Sequence, residues 1–137
     1  MEQHKAIYTA KVQTIGSSNG TARSVDGRFK DLLAPPDAEA PDTRPEQLFA
    51  AGWSACFEGA MQLAARKMNV LLPPGFAINT EIDLQDATDG YFLGARLKVS
   101  LPELERNVAQ AIIDAAHQTC LYASATRSNI HVALSFS

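Results

Sequence analysis

The stretch Thr43-Arg44-Pro45-Glu46-Gln47-Leu48-Phe49-Ala50-Ala51-Gly52-Trp53-Ser54-Ala55-Cys56-Phe57 decides how this chain folds. It opens as a helix: Thr43 can cap, Pro45 suits a first turn, and Glu46 stands three residues after the cap. The helical pattern runs to about Asn69, and Pro73-Pro74-Gly75 then breaks the chain. Phe49, Gly52, Cys56, Ala60 and Leu63 share one face at helical spacing. The remaining faces are also largely apolar, so the helix is expected to be central and covered on several sides. Glu58 and Gln62 make the stretch from Leu48 to Ala65 too polar for a membrane span.

On the N-terminal side, Ile7 to Ile15 alternates as a strand. Asn19-Gly20 and Asp26-Gly27 are two-residue turn signals. Together they predict a meander near 7–15, 21–25 and 28–34. The proline- and acid-rich segment from Ala34 to Asp42 reads as a connection, because a lone meander cannot bury its face. On the C-terminal side, strands are predicted near 76–84 and 91–100, joined across Gln85 to Gly90. Ser100-Leu101-Pro102-Glu103 reads as a second capping box. The helix after it carries Leu104, Val108, Ala111, Ile112 and Ala115 on one stripe and ends close to Cys120. Ile130 to Phe136 alternates as a last strand. The order βββ-α-ββ-α-β argues an α+β fold, and the length of 137 residues argues one domain over 1–137.

Composition removes several classes of function. A net charge of −3 with no basic block leaves no electrostatic footprint for nucleic acid. Two cysteines, Cys56 and Cys120, are too few for a disulfide-stapled secreted scaffold. The start, Met1-Glu2-Gln3-His4-Lys5, leads into alternation and not into an apolar signal sequence, so a cytoplasmic location with reduced thiols is expected. His4, His117 and His131 are far apart; His117 and Cys120 make half a metal site at best, and no metal is expected. Phosphate-binding loops, dinucleotide fingerprints, zinc-protease motifs and serine elbows are absent.

By composition alone, a cysteine in an apolar helix is a small buried hydrophobe. A reactive Cys56 faces an electrostatic demand, since desolvation disfavours the thiolate. The helix dipole fades within the first turn, and Cys56 lies well beyond it. Lowering a thiol pKa from about 8.5 to about 6 takes roughly 3.4 kcal/mol of preference for the anion. A reactive Cys56 therefore requires an arginine or lysine at contact range. Cys120 is open to both readings, as core filler or as the partner that condenses with a sulfenic acid on Cys56.

The segment from Pro45 to Phe57 resembles a signature of the organic hydroperoxide resistance proteins, in the wider Ohr/OsmC family. Ala125-Thr126-Arg127 with Asn129-Ile130, just after Cys120, resembles a second signature, and the resemblance covers essentially the whole chain. It implies a thiol-dependent peroxidase acting on alkyl and fatty-acid hydroperoxides. Cys56 matches the peroxidatic cysteine, Cys120 the resolving one, and Glu46 a glutamate that positions an arginine. It implies an OsmC-like intertwined homodimer with no bound cofactor, its disulfide reduced by an external dithiol such as dihydrolipoamide or a lipoylated protein. Phe49, Trp53 and Phe57 are candidates to line an apolar substrate pocket, although aromatic residues on a buried helix also serve as plain core.

Glu46 and Cys56 are ten residues apart on one predicted helix, about 15 Å along its axis. To share a site, Glu46 must come from a partner chain or the helix must break. Ser18 stands where the family carries its arginine, and Arg23, Arg28 and Arg44 are the candidate substitutes. Leu121 replaces a proline, Trp53 a tyrosine and Ser128 a glycine. The missing arginine opens a rival expectation, a divergent peroxide-sensing or ligand-binding protein with weak turnover. An ordinary structural domain with inert cysteines is the third.

Overall fold

Val12–Ile15 (β1), Gly20–Ser24 (β2) and Lys30–Leu33 (β3) form an antiparallel sheet in the order β1-β2-β3. A computed structural model describes residues 6–15, 20–28, 30–33, 44–87, 90–127 and 129–137. The Asp26-Gly27 turn forms as its chemistry dictates. Gly27 adopts φ 77, and Asp26 Oδ1 accepts from Ser24 Oγ at 2.6 Å and from the Arg28 amide at 3.0 Å. These bonds, the Ser24 hydroxyl first, hold the Asp26 carboxyl below its ordinary value. The first strand is shorter than the predicted 7–15. Val12 pairs with Ser24, one further bond runs from the Val25 amide to Lys11 O at 2.9 Å, and the chain then enters the Asp26-Gly27 turn.

Contacts divide the chain into two compact units, Met1–Pro45 and Glu46–Ser137. In the second, the helix α1 spans Pro45–Lys67 without interruption. Thr43, its expected cap, lies outside the described residues, as do His4, Ser18, Ser128 and the connection 34–42. Ala77–Ala87 (β4) and Gly90–Ser100 (β5) pair antiparallel from Ala77 opposite Ser100 to Ala87 opposite Gly90. The hairpin is tighter than predicted because pairing continues through Gln85 and Asp86. Arg106–Thr119 (α2) and Leu121–Thr126 (α3) follow, then His131–Phe136 (β6). β6 runs parallel to β5, with Gly94 opposite His131 and Val99 opposite Phe136. Parallel neighbours need a crossover, and α2 with α3 provides it.

The core joins Trp53, Phe57 and Met61 of α1 to Ala95, Leu97 and Val99 of β5 and Ile112, Ile113 and Ala116 of α2. Ser54 Oγ and Thr80 Oγ1, 2.5 Å apart, tie α1 to β4. On the other face of the sheet, Arg96 bonds Glu81 at 3.0 Å and also engages Asp83. The guanidinium holds the Asp83 carboxyl below its usual range.

Three expectations are corrected. The core face of α1 is Trp53-Phe57-Met61-Ala64-Ala65, while Phe49, Gly52, Cys56 and Ala60 are half-buried and Leu63 is 43% exposed. A helix apolar on every side lets the bulkiest residues claim the interior. The stripe of α2 is Ala109-Ile112-Ile113-Ala116, and Ala111 is exposed. Leu104 precedes the helix, so a stripe counted from it is rotated. The second capping box does not form. Ser100 stays in β5 opposite Ala77, the Leu101 amide donates to Ser137 O at 3.0 Å, and α2 starts after Glu105, with no side-chain cap bond. Sheet pairing outcompetes the local cap.

Candidate active site

Cys120 occupies the joint between two helices. Its amide donates to Ala116 O at 2.8 Å, closing α2, and its carbonyl accepts from the Ser124 amide at 3.0 Å, opening α3. With φ −64 and ψ 127 it is extended between them, so the chain kinks there. The kink turns its thiol onto the side of α1. Cys120 Sγ donates to Cys56 Sγ across 3.3 Å, and the Leu121 amide donates to the same sulfur at 3.2 Å. Both cysteines are free thiols. A disulfide bond of about 2.05 Å would need the sulfurs to approach by roughly a further 1.3 Å.

α3 is seated on α1 by an aromatic cluster. The Phe49 ring centroid lies 5.5 Å from Trp53 and 5.7 Å from Tyr122, and Trp53 lies 6.2 Å from Tyr122. Gly52 makes the approach possible: a Cβ there would stand 2.5 Å from the Tyr122 hydroxyl. Trp53 and Phe57 are 1% exposed within the core, whereas Phe49 is half-buried. The Leu121 amide and the Tyr122 ring escaped sequence reasoning. The available signal was Gly52, a residue without a side chain in a helix otherwise rich in large ones.

Burial sets the state of the Cys120 thiol. Cys120 is 1% exposed, and burial pushes its thiol up from the ordinary 9.0. The Ala123 amide pulls the other way, the contact with Cys56 pushes up again, and the Tyr122 amide opposes it; the net displacement is upward. Cys120 therefore remains a protonated donor, and Cys56 Sγ accepts two hydrogen bonds. Neither donor is the cation that sequence reasoning required. Arg23 and Arg28 are exposed and Arg44 half-buried. Glu46 is half-buried in the first turn of α1, and its Oε2 is enclosed without a hydrogen-bond partner among the described residues. Because α1 is unbroken from Pro45 to Lys67, Glu46 and Cys56 of one chain stay about 15 Å apart along the axis.

The upward displacement of Cys120 has a pH consequence. Between the unfolded and folded values the folded chain binds more protons, so stability falls with rising pH there. The contribution of Cys120 to the stability of the reduced protein should be fully present below about pH 8.5 and be lost progressively above. Urea unfolding from about pH 7 to 10 checks this. Cys120→Ala should flatten the decline, and identical slopes would refute the assignment.

Among the described residues, no group of three or more histidine, cysteine or acidic side chains could hold a metal ion, and no helix is long and apolar enough to cross a membrane. The family model described as OsmC-like protein matches residues 37–135. The chain belongs to the OsmC-like family. It is 36% identical over 134 residues to the organic hydroperoxide resistance protein of Xanthomonas axonopodis pv. citri (strain 306), covering 95% of this chain and 94% of that one. It is 38% identical over 138 residues to the organic hydroperoxide resistance protein OhrB of Bacillus subtilis (strain 168), covering 94% and 97%. The crystal structure of the Bacillus subtilis OhrB superposes with a TM-score of 0.87 at 36% identity, over 96% of this chain and 100% of that one. An organic hydroperoxide resistance protein from Elizabethkingia anophelis, with thiocyanate bound, gives 0.90 at 31% identity, over 98% and 99%. This OsmC-like chain thus has the α+β fold of its family, and relatives named for organic hydroperoxide resistance support a peroxide-related role.

Proposed function

We propose that this OsmC-like chain is a cytoplasmic, thiol-dependent peroxidase that reduces alkyl and fatty-acid hydroperoxides to alcohols. The observation that carries the proposal is the 3.3 Å approach of Cys120 Sγ to Cys56 Sγ, with Cys56 accepting from both Cys120 and Leu121. The Cys56 thiolate attacks the distal peroxide oxygen, the O–O bond breaks, and the alkoxide leaves as the alcohol after taking a proton. Cys56 is then a sulfenic acid. Cys120 Sγ displaces its hydroxyl as water and forms the disulfide. An external dithiol, such as dihydrolipoamide or a lipoylated protein, restores both thiols by two exchange steps and leaves as its own disulfide.

Phe49, half-buried on α1, offers apolar surface that favours alkyl peroxides, with Trp53 and Phe57 behind it in the core. The unbroken α1 and a Glu46 Oε2 without a partner among the described residues support an intertwined homodimer in which Glu46 serves the Cys56 of the other copy. An active monomer would refute that arrangement.

The test uses one equivalent of an alkyl hydroperoxide. Intact mass should fall by two hydrogens and both free thiols should disappear, whereas unchanged thiols would overturn the proposal. Ser18, in the place of the family arginine, favours a second reading as a peroxide-sensing or ligand-binding protein. Sustained turnover with dihydrolipoamide decides for the enzyme, and one oxidation without turnover decides for the sensor.

A further inference from the structure

We propose that the main-chain N–H of Leu121 is a catalytic group, a fixed neutral donor that favours the thiolate of Cys56 over its thiol; this rests on Cys56 being the attacking thiol. The side chain of Leu121 is 75% exposed. Its amide, by contrast, points inward and donates to Cys56 Sγ at 3.2 Å. Leu121 opens α3, and amides in a first helical turn have no acceptor within their own helix. Sulfur takes that role here. A hydrogen bond onto an ionised acceptor is markedly stronger than one onto a neutral acceptor, so the contact favours the charged form of the thiol.

The other donor, the Cys120 thiol, has a second task. Its sulfur must be released to form the disulfide, and a proton shared with Cys56 is then lost. The Leu121 amide has no such conflict. It does not titrate in the physiological range, and its place is over-determined by bonds on either side of it. The Cys120 amide is tied to Ala116 O, the Cys120 carbonyl to the Ser124 amide, and the Tyr122 ring rests on Gly52 beside Phe49 and Trp53. Preorganised donors of this kind act without reorganising at the moment of reaction.

Leu121→Pro deletes this N–H and little else. Proline is well tolerated at the first position of a helix, and Cys120 already holds the extended ψ of 127 that a residue before proline prefers. The readout is the rate of Cys56 alkylation by iodoacetamide across roughly pH 5 to 10, with the modified cysteine located by mass spectrometry. At about pH 6 the variant should be alkylated roughly tenfold more slowly than the parent, and the two rates should converge near pH 10, where a thiol without help from the amide also ionises. Equal rates at low pH would overturn the proposal. So would an equal loss at every pH, which is the mark of lost access and not of lost charge stabilisation.

A second measurement needs no variant. In protein labelled with 15N-leucine, the Leu121 amide proton should shift downfield with the same pH midpoint as the alkylation profile. An amide signal that is flat across that range would overturn the proposal. Neither measurement uses peroxide. A protein that passes both yet leaves alkyl hydroperoxide untouched refutes the peroxidase and leaves the amide's role standing.

Discussion

Replacing Cys56 with serine is expected to abolish hydroperoxide reduction, lowering kcat/KM by at least about a thousandfold. A serine hydroxyl stays protonated near neutral pH and has no lower-valent sulfur to oxidise, so the first step has no nucleophile. Cys120 offers no substitute: it is 1% exposed, and burial keeps it protonated. The complementary variant, Cys120→Ser, should behave differently. It keeps the first attack, consumes about one equivalent of peroxide and stops at the sulfenic acid or climbs to the sulfinic acid, gaining oxygen in mass. Peroxide consumption and intact mass separate the two variants. Residual turnover in Cys56→Ser would remove Cys56 from the centre of the chemistry.

The oxidised protein should also be much harder to unfold than the reduced one. Cys56 and Cys120 are 64 positions apart, and their sulfurs already touch. Linking them removes loop-closure entropy from the unfolded chain, which in the chain-entropy model is worth about 4 kcal/mol for a loop of this length. For a chain of this size that corresponds to a rise in Tm of roughly 10 °C. Scanning calorimetry of the dithiol and disulfide forms, each verified by mass, checks the figure. Equal Tm values would mean that closing the bond disturbs as much packing as it removes chain entropy.

Much of this was legible in the sequence, for reasons that differ by element. The alternation of Ile78-Asn79-Thr80-Glu81-Ile82 and the turn chemistry of Asp26-Gly27 are local signals, and they formed where local signals place them. The faces of α1 and α2 were not legible, because a helix apolar all round has no intrinsic inside; Trp53 and Phe57 went inward because of what β5 and α2 present to them. Ser100 failed as a cap because a sheet partner, Ala77, was available from far along the chain. The two cysteines read as a pair only through the family resemblance; by pattern alone each was a small buried hydrophobe. The donors around Cys56 were not legible, since a main-chain amide leaves no trace in residue identity. Leu121 was noticed only for its side chain, which is the part of it that faces solvent.

The parallel pairing of β5 with β6 gives the chain's synthesis a particular order. Cys56 leaves the ribosome long before Cys120, and Cys120 lies in the crossover that must be complete before β6 can find β5. During that interval Cys56 has neither its hydrogen-bond donors nor its resolving partner. One dipeptide, Cys120-Leu121, delivers both at once. On the proposed mechanism, the nascent protein would acquire its sensitivity to peroxide and its protection against over-oxidation in the same folding event.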